Sequence, residues 1–143
     1  MPTPPRLAPA GIWTRLRLGA EVVRARWLTD RLIRRGDLAG LVPLALARPP
    51  LRRPWRPSLI GGAAHRLVRS MLPGERGEDR VRCIHRAAVM QHLLLRQGQP
   101  AALVIGVKPG SGSARAHAWV ELGGEVVGPP PGRMGHRELT RYE

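Results

Sequence analysis

The spacing of apolar residues changes period near residue 100 of this 143-residue chain, from helical before it to strand-like after it. From Gly11 to about Arg35, Ile12, Leu16, Val23, Trp27 and Leu28 share one face at helical spacing, with arginines on the others. Gly36 is placed to stop this helix, and Asp37 to cap the next. That second helix, "LAGLVPLALA", is short and interrupted by Pro43. A proline-punctuated basic linker follows over residues 48–57. Ser58 then opens a predicted third helix, "LIGGAAHRLVRSML". After the polar loop "GERGED", Asp79 is a candidate cap for a fourth helix, "RVRCIHRAAVMQHLLLRQG". Its stripe is Ile84, Ala87, Ala88, Gln91, Leu94 and Leu95, and Gly98 is its expected terminator.

Beyond Gly98 the pattern is that of strands. "PAALVIGVKP" is a continuous apolar run bounded by prolines, which predicts a buried strand. The loop "GSGSA" leads into a hairpin, "AHAWVEL-GG-EVV", and the tail "RMGHRELTRYE" is read as a last helical turn. The expected architecture is α+β. A helical region over residues 11–73 precedes a core over residues 74–143, in which one helix packs on a small antiparallel sheet, all within a single domain of residues 1–143. The first ten residues are Pro-rich and expected to be extended.

Composition narrows the classes. No apolar run approaches the roughly 20 residues that cross a bilayer, and the N-terminus lacks the charged-then-apolar order of a secretory signal, so a cytoplasmic protein without membrane attachment is expected. The net charge is +14, carried by 23 Arg and one Lys. Nucleic acid, or an acidic peptide or protein, would suit such a surface. Arg, Ala, Gly and Pro are abundant together, however, as codon bias alone would make them, and no stretch interleaves aromatics with arginines as single-strand binders do. Nucleic acid is therefore not the expected partner.

The single cysteine, Cys83, excludes an intrachain disulfide and a thiolate-rich zinc site. It lies about one turn inside the fourth helix, where unpaired N–H groups and the positive end of the macrodipole lower a thiol pKa and can hold an oxyanion. Arg82 and Arg86 push the same way. His117, in the first hairpin strand, is placed to face that helix start and act as its base. The plain alternatives are a packed thiol and a core histidine bonded to a carbonyl. A metal held by Cys83, His85 and His117 lacks the usual further ligand. His92 shares a helix face with His85, while His65 and His136 read as surface residues. "KPGSGS" lacks the Gly-Lys-Ser/Thr and helix of a phosphate loop. Neither metal nor cofactor is expected.

A base histidine is normally oriented by a carboxylate or amide. A two-residue turn at Gly123-Gly124 pairs Leu122 with Glu125, Val120 with Val127, Trp119 with Gly128 and Ala118 with Pro129. The orienting position should fall at Gly128 or Pro129, and neither carries a side-chain acceptor. Glu121 shares His117's side of the strand but lies about 13 Å along it.

The segment "CIHRAAVMQHLLLRQGQPAALVIGV" followed by "AHAWVELGGEVV" resembles the transglutaminase-like leader peptidases of lasso-peptide biosynthesis, over roughly residues 75–130. The resemblance implies a papain/transglutaminase-like Cys-His-Asp protease with Cys83 as nucleophile and His117 as base; Trp119, beside that histidine, is a candidate substrate-site aromatic. The family's Asp falls at Pro129, where this chain departs from the pattern. The implied partners are the leader of a precursor peptide, a separate leader-recognition protein and an ATP-dependent, asparagine-synthetase-like cyclase. The expected function is leader removal by a cysteine endopeptidase. Its alternative is a catalytically impaired scaffold that binds precursor or recognition protein without cleaving. The basic first half, with Trp13, Trp27 and Trp55, is the expected docking surface, unless those tryptophans belong to the core.

Overall fold

The computed structural model describes residues 11–49, 79–110, 116–127 and 135–143. Helix α1 spans Ile12–Arg35, a 3-10 turn Leu38–Gly40 leads into the short α2, Leu41–Leu46, and α3 spans Asp79–Leu95. The strands are β1 (Ala101–Val107), β2 (Ala116–Leu122), β3 (Glu125–Val127) and β4 (Arg137–Tyr142). They form one antiparallel sheet in the order β3-β2-β1-β4. The α+β architecture is thus a helical layer on one face of a small sheet, with Cys83 on the helix that joins them.

The punctuation residues act as their chemistry dictates. Gly36 adopts φ 67°, and the N–H groups of Gly36 and Asp37 return to the carbonyls of Ile33 and Leu32, closing α1. Asp37 accepts from the Gly40 N–H at 3.1 Å and caps the 3-10 turn. Gly123 and Gly124, at φ 60° and 84°, form the two-residue turn that aligns Leu122 with Glu125 and Val120 with Val127.

Alternation sorts the strand residues onto two faces. Leu103, Ala118 and Val120, with Ile105 and Leu122, pack against α1 and α3 in the main core. Ala102, Val104 and Trp119 form a second cluster on the other face. Helix α3 is the central element: every residue from Ala87 to Gln97 is buried, including the polar ones. Gln91 is used to tie α3 to the sheet, its amide donating to the carbonyls of Ala101 at 3.2 Å and Tyr142 at 2.7 Å.

Two expectations are corrected. The core face of α1 is Leu18, Val22, Ala25, Thr29 and Leu32, while Ile12, Leu16, Val23 and Trp27 are exposed. The helix carries two apolar stripes, and the buried one was disguised by Arg26, which pairs with Asp30 at 3.1 Å, and by Thr29. The tail is a strand, not a helical turn: β4 pairs with the otherwise open edge of β1. Its period of two is broken by a register shift opposite Ile105/Gly106, which leaves Leu139 as the extra residue. The predicted helix from Ser58, Trp55, and the candidate positions Gly128 and Pro129 lie outside the described residues.

Candidate active site

Cys83 lies one turn into α3, 6% exposed, where the helix crosses β2. Its thiol hydrogen-bonds the backbone of Ala118, the residue that follows His117. Burial pushes the thiol pKa up from its ordinary value; the Ala118 backbone, the Arg86 guanidinium and the N–H groups of Ile84 and Cys83 oppose this without overcoming it. The lowered pKa expected of a helix-start cysteine is thereby corrected: the dipole and the arginine are present, but dehydration outweighs them.

His117 is the second residue of β2 and is half-buried. Its ring stacks with that of Trp119, centroids 6.3 Å apart, because residues two apart share a strand face. A third ring joins them on the same face, from the β4 edge. His136, just before β4, lies 5.1 Å from His117 and 6.4 Å from Trp119. His136 is half-buried, and the strand that follows it brings its ring to the other two. The thiol reaches Ala118 from the α3 face of the sheet, whereas the His117 ring stands with Trp119 on the other face. The expectation that His117 faces the start of the Cys83 helix is thereby corrected: alternation along β2 sends neighbouring residues to opposite faces.

The floor of that cluster is Gly106. It pairs with His117 across β1–β2 and with Glu138 across β1–β4. A Cβ there would lie 2.5 Å from the Arg137 carbonyl oxygen and 2.7 Å from the Trp119 ring. Only glycine lets the indole lie across β1. The indole N–H donates to Glu121 Oε1 at 2.9 Å, and Arg141 Nη2 donates to Glu121 Oε2 at 2.7 Å. Arg141 also forks onto Glu138, with Nε and Nη2 at 3.0 and 2.9 Å from its two oxygens. The bulge at Leu139 puts Glu138 and Arg141, three apart, on one face. Gly106, Glu121, His136 and Arg141 were missed as site residues. The His-x-Trp-x-Glu spacing in β2 was the available signal for Glu121; nothing local marked the other three.

His85 and His92 serve the fold, and His65 lies outside the described residues. His85 Nε2 lies 2.7 Å from Asp30 Oδ1, joining α3 to α1. His92 is enclosed, its pKa lowered to about 4 by burial and by Arg96, Arg24 and Arg48. Among the described residues no cluster of three His, Cys, Asp or Glu could hold a metal. None of their helices is long and apolar enough to cross a membrane.

A helix-borne cysteine packed on an antiparallel sheet whose second strand carries a histidine is the scaffold of papain-like and transglutaminase-like proteins. The chain belongs to the transglutaminase-like superfamily, whose family model matches residues 20–141, from within α1 to within β4. No curated protein and no solved structure matches the chain.

Proposed function

We propose that the protein is a cysteine endopeptidase that removes the leader peptide from a lasso-peptide precursor. The observation that carries this reading is the hydrogen bond between the Cys83 thiol and the backbone of Ala118, the residue next to His117 in β2. Membership of a superfamily that commonly contains cysteine proteases supports the reaction class. The "CIHRAAVMQHLLLRQG" and "AHAWVE" motifs support the substrate class.

The chemistry follows from a thiol that burial keeps protonated at rest. His117 accepts the proton as Cys83 Sγ attacks the carbonyl at the leader–core junction, and the N–H of Cys83 contributes to holding the oxyanion. Collapse of the tetrahedral intermediate breaks the C–N bond. The His117 imidazolium protonates the departing core amine, leaving the leader as a thioester on Cys83. Water, deprotonated by His117, then releases the leader as a carboxylate. A separate recognition protein delivers the leader, and an ATP-dependent cyclase takes the freed core amine.

A second reading, a scaffold that binds precursor without cutting it, is favoured by the raised thiol pKa and by the Gly-Pro-Pro sequence at 128–130. Mass spectrometry of a lasso-peptide precursor, incubated with a leader-recognition protein and each variant, separates the two. Wild type releases leader and core, while Cys83→Ala and His117→Ala do not. Full leader removal by either variant overturns the mechanism, and precursor left intact by wild type favours the scaffold.

A further inference from the structure

The exposed apolar stripe of α1 has the spacing of a helix-pairing seam. Trp13, Ala20 and Trp27 recur every seven residues, with Leu16 and Val23 between them, as the a and d positions of a heptad do. All five are exposed, whereas Leu18, Ala25 and Leu32, two positions past each d, are buried. Seam and core therefore occupy different faces of one helix. The seam runs about 21 Å from Trp13 to Trp27, and Ala20 leaves a notch between the two indoles.

Charge along the seam specifies its occupant. Arg17, Arg24 and Arg31 stand at successive e positions, all exposed, with Arg31 over the Trp27 ring at 5.4 Å. Glu21, behind that row, pairs instead with Arg48 and Arg96, at 3.5 and 3.9 Å. The g positions hold Ile12, Gly19 and Arg26, and Arg26 is buried against Asp30 at 3.1 Å. Beyond them on α1 the one exposed cation is Arg15. We propose that this stripe docks an acidic amphipathic helix of a partner protein, which lays a large apolar side chain over Ala20 and presents carboxylates to Arg17, Arg24 and Arg31. A second copy of the chain offers those arginines no carboxylate: antiparallel, they meet each other, and parallel, they meet Ile12, Gly19 and Arg26. A helix that lies on anionic lipid keeps a whole polar face opposite its apolar one, whereas the face opposite this stripe is the core. Docking is independent of the reaction assigned to Cys83, since helix capture and precursor cleavage are read separately.

The test titrates the full chain into fluorescein-labelled synthetic peptides and reads anisotropy. Both peptides span three heptads with Leu at a and d; one has Glu and the other Lys at its e and g positions. The Glu peptide should bind about tenfold tighter or more at about 0.05 M salt, with the gap narrowing at about 0.5 M. Arg17→Glu with Arg24→Glu and Arg31→Glu should reverse the preference. Ala20→Trp, which fills the notch, should weaken the Glu peptide about tenfold. Circular dichroism melts accompany each variant. Should the triple variant lose the fold, Arg17→Glu with Arg24→Glu, which leaves Arg31 on Trp27, is read in its place. Equal binding of the two peptides, binding of neither, or a preference unmoved by the reversed charges overturns the proposal. So does a dimer of the wild-type chain in sedimentation that Trp27→Ser splits, which assigns the stripe to a second copy. Capture by phosphatidylglycerol vesicles without capture of the Glu peptide overturns it too, in favour of lipid.

Discussion

At the scale of single residues, burial sets the chemistry of both Cys83 and His92. The thiol is an acid whose charged form is disfavoured by desolvation, so its pKa lies above the ordinary 9.0. Iodoacetamide should therefore label resting Cys83 slowly at neutral pH, with a rate still climbing above pH 9; a plateau reached below neutral pH would mean a preformed thiolate. His92 is the opposite case, a base whose charged form is disfavoured. Neither ring nitrogen has a hydrogen-bond partner among the described residues, and the pKa falls from 6.5 to about 4. The unfolded chain takes up this proton more readily than the folded one, so His92 costs nothing above pH 6.5. Stability is then lost as pH falls from 6.5 toward 4, by about 3 kcal/mol in full. His92→Leu should melt higher than wild type at pH 5 and about equally at pH 8. Equal melting temperatures at pH 5 would show that His92 is not the group responsible.

At the scale of elements, β1 decides how the sheet can be used. At Gly106 a side chain would meet both a backbone carbonyl and the Trp119 ring. The carbonyl belongs to β4 and cannot rotate away, so the indole would have to move. Gly106→Ala should destabilise the protein by about 1–3 kcal/mol and shift Trp119 fluorescence, read by chemical denaturation and emission spectra. An unchanged spectrum with unchanged stability would show that the indole does not rest on Gly106. The glycine was visible in "LVIGV" from the outset, but an isolated strand glycine says only that something approaches closely. What approaches comes from β2 and β4, and the tail had been read as helical because its bulge hides the period of two.

At the scale of the whole molecule, the unused stripe of α1 stands out. Trp13 and Trp27 are 77% and 56% exposed, beside Ile12, Leu16 and Val23, and Arg31 lies over the Trp27 ring at 5.4 Å. This is the surface on which we expect the leader or its recognition protein to dock. The stripe's position opposite the buried face of α1 makes a clear distinction available. Leu16→Ser with Trp27→Ser should leave the melting temperature within about 2 °C of wild type, as exposed substitutions do. The same pair should weaken capture of the recognition protein in a pull-down. A melting temperature several degrees lower would assign the stripe to the core instead.

The sequence by itself determined the local events. Helix ends at Gly36 and Gly98, the hairpin register at Gly123-Gly124, and the thiol's place one turn inside α3 all depend on residues close in the chain. The α+β class was legible for the same reason. Tertiary structure alone decided which stripe of α1 was buried, because both have helical spacing and only packing against α3 distinguishes them. It also decided that the tail pairs with β1, and so brings His136 to His117 over Gly106. Finally it set the sign of the Cys83 shift: the helix dipole is a local property, but dehydration depends on everything folded around the thiol.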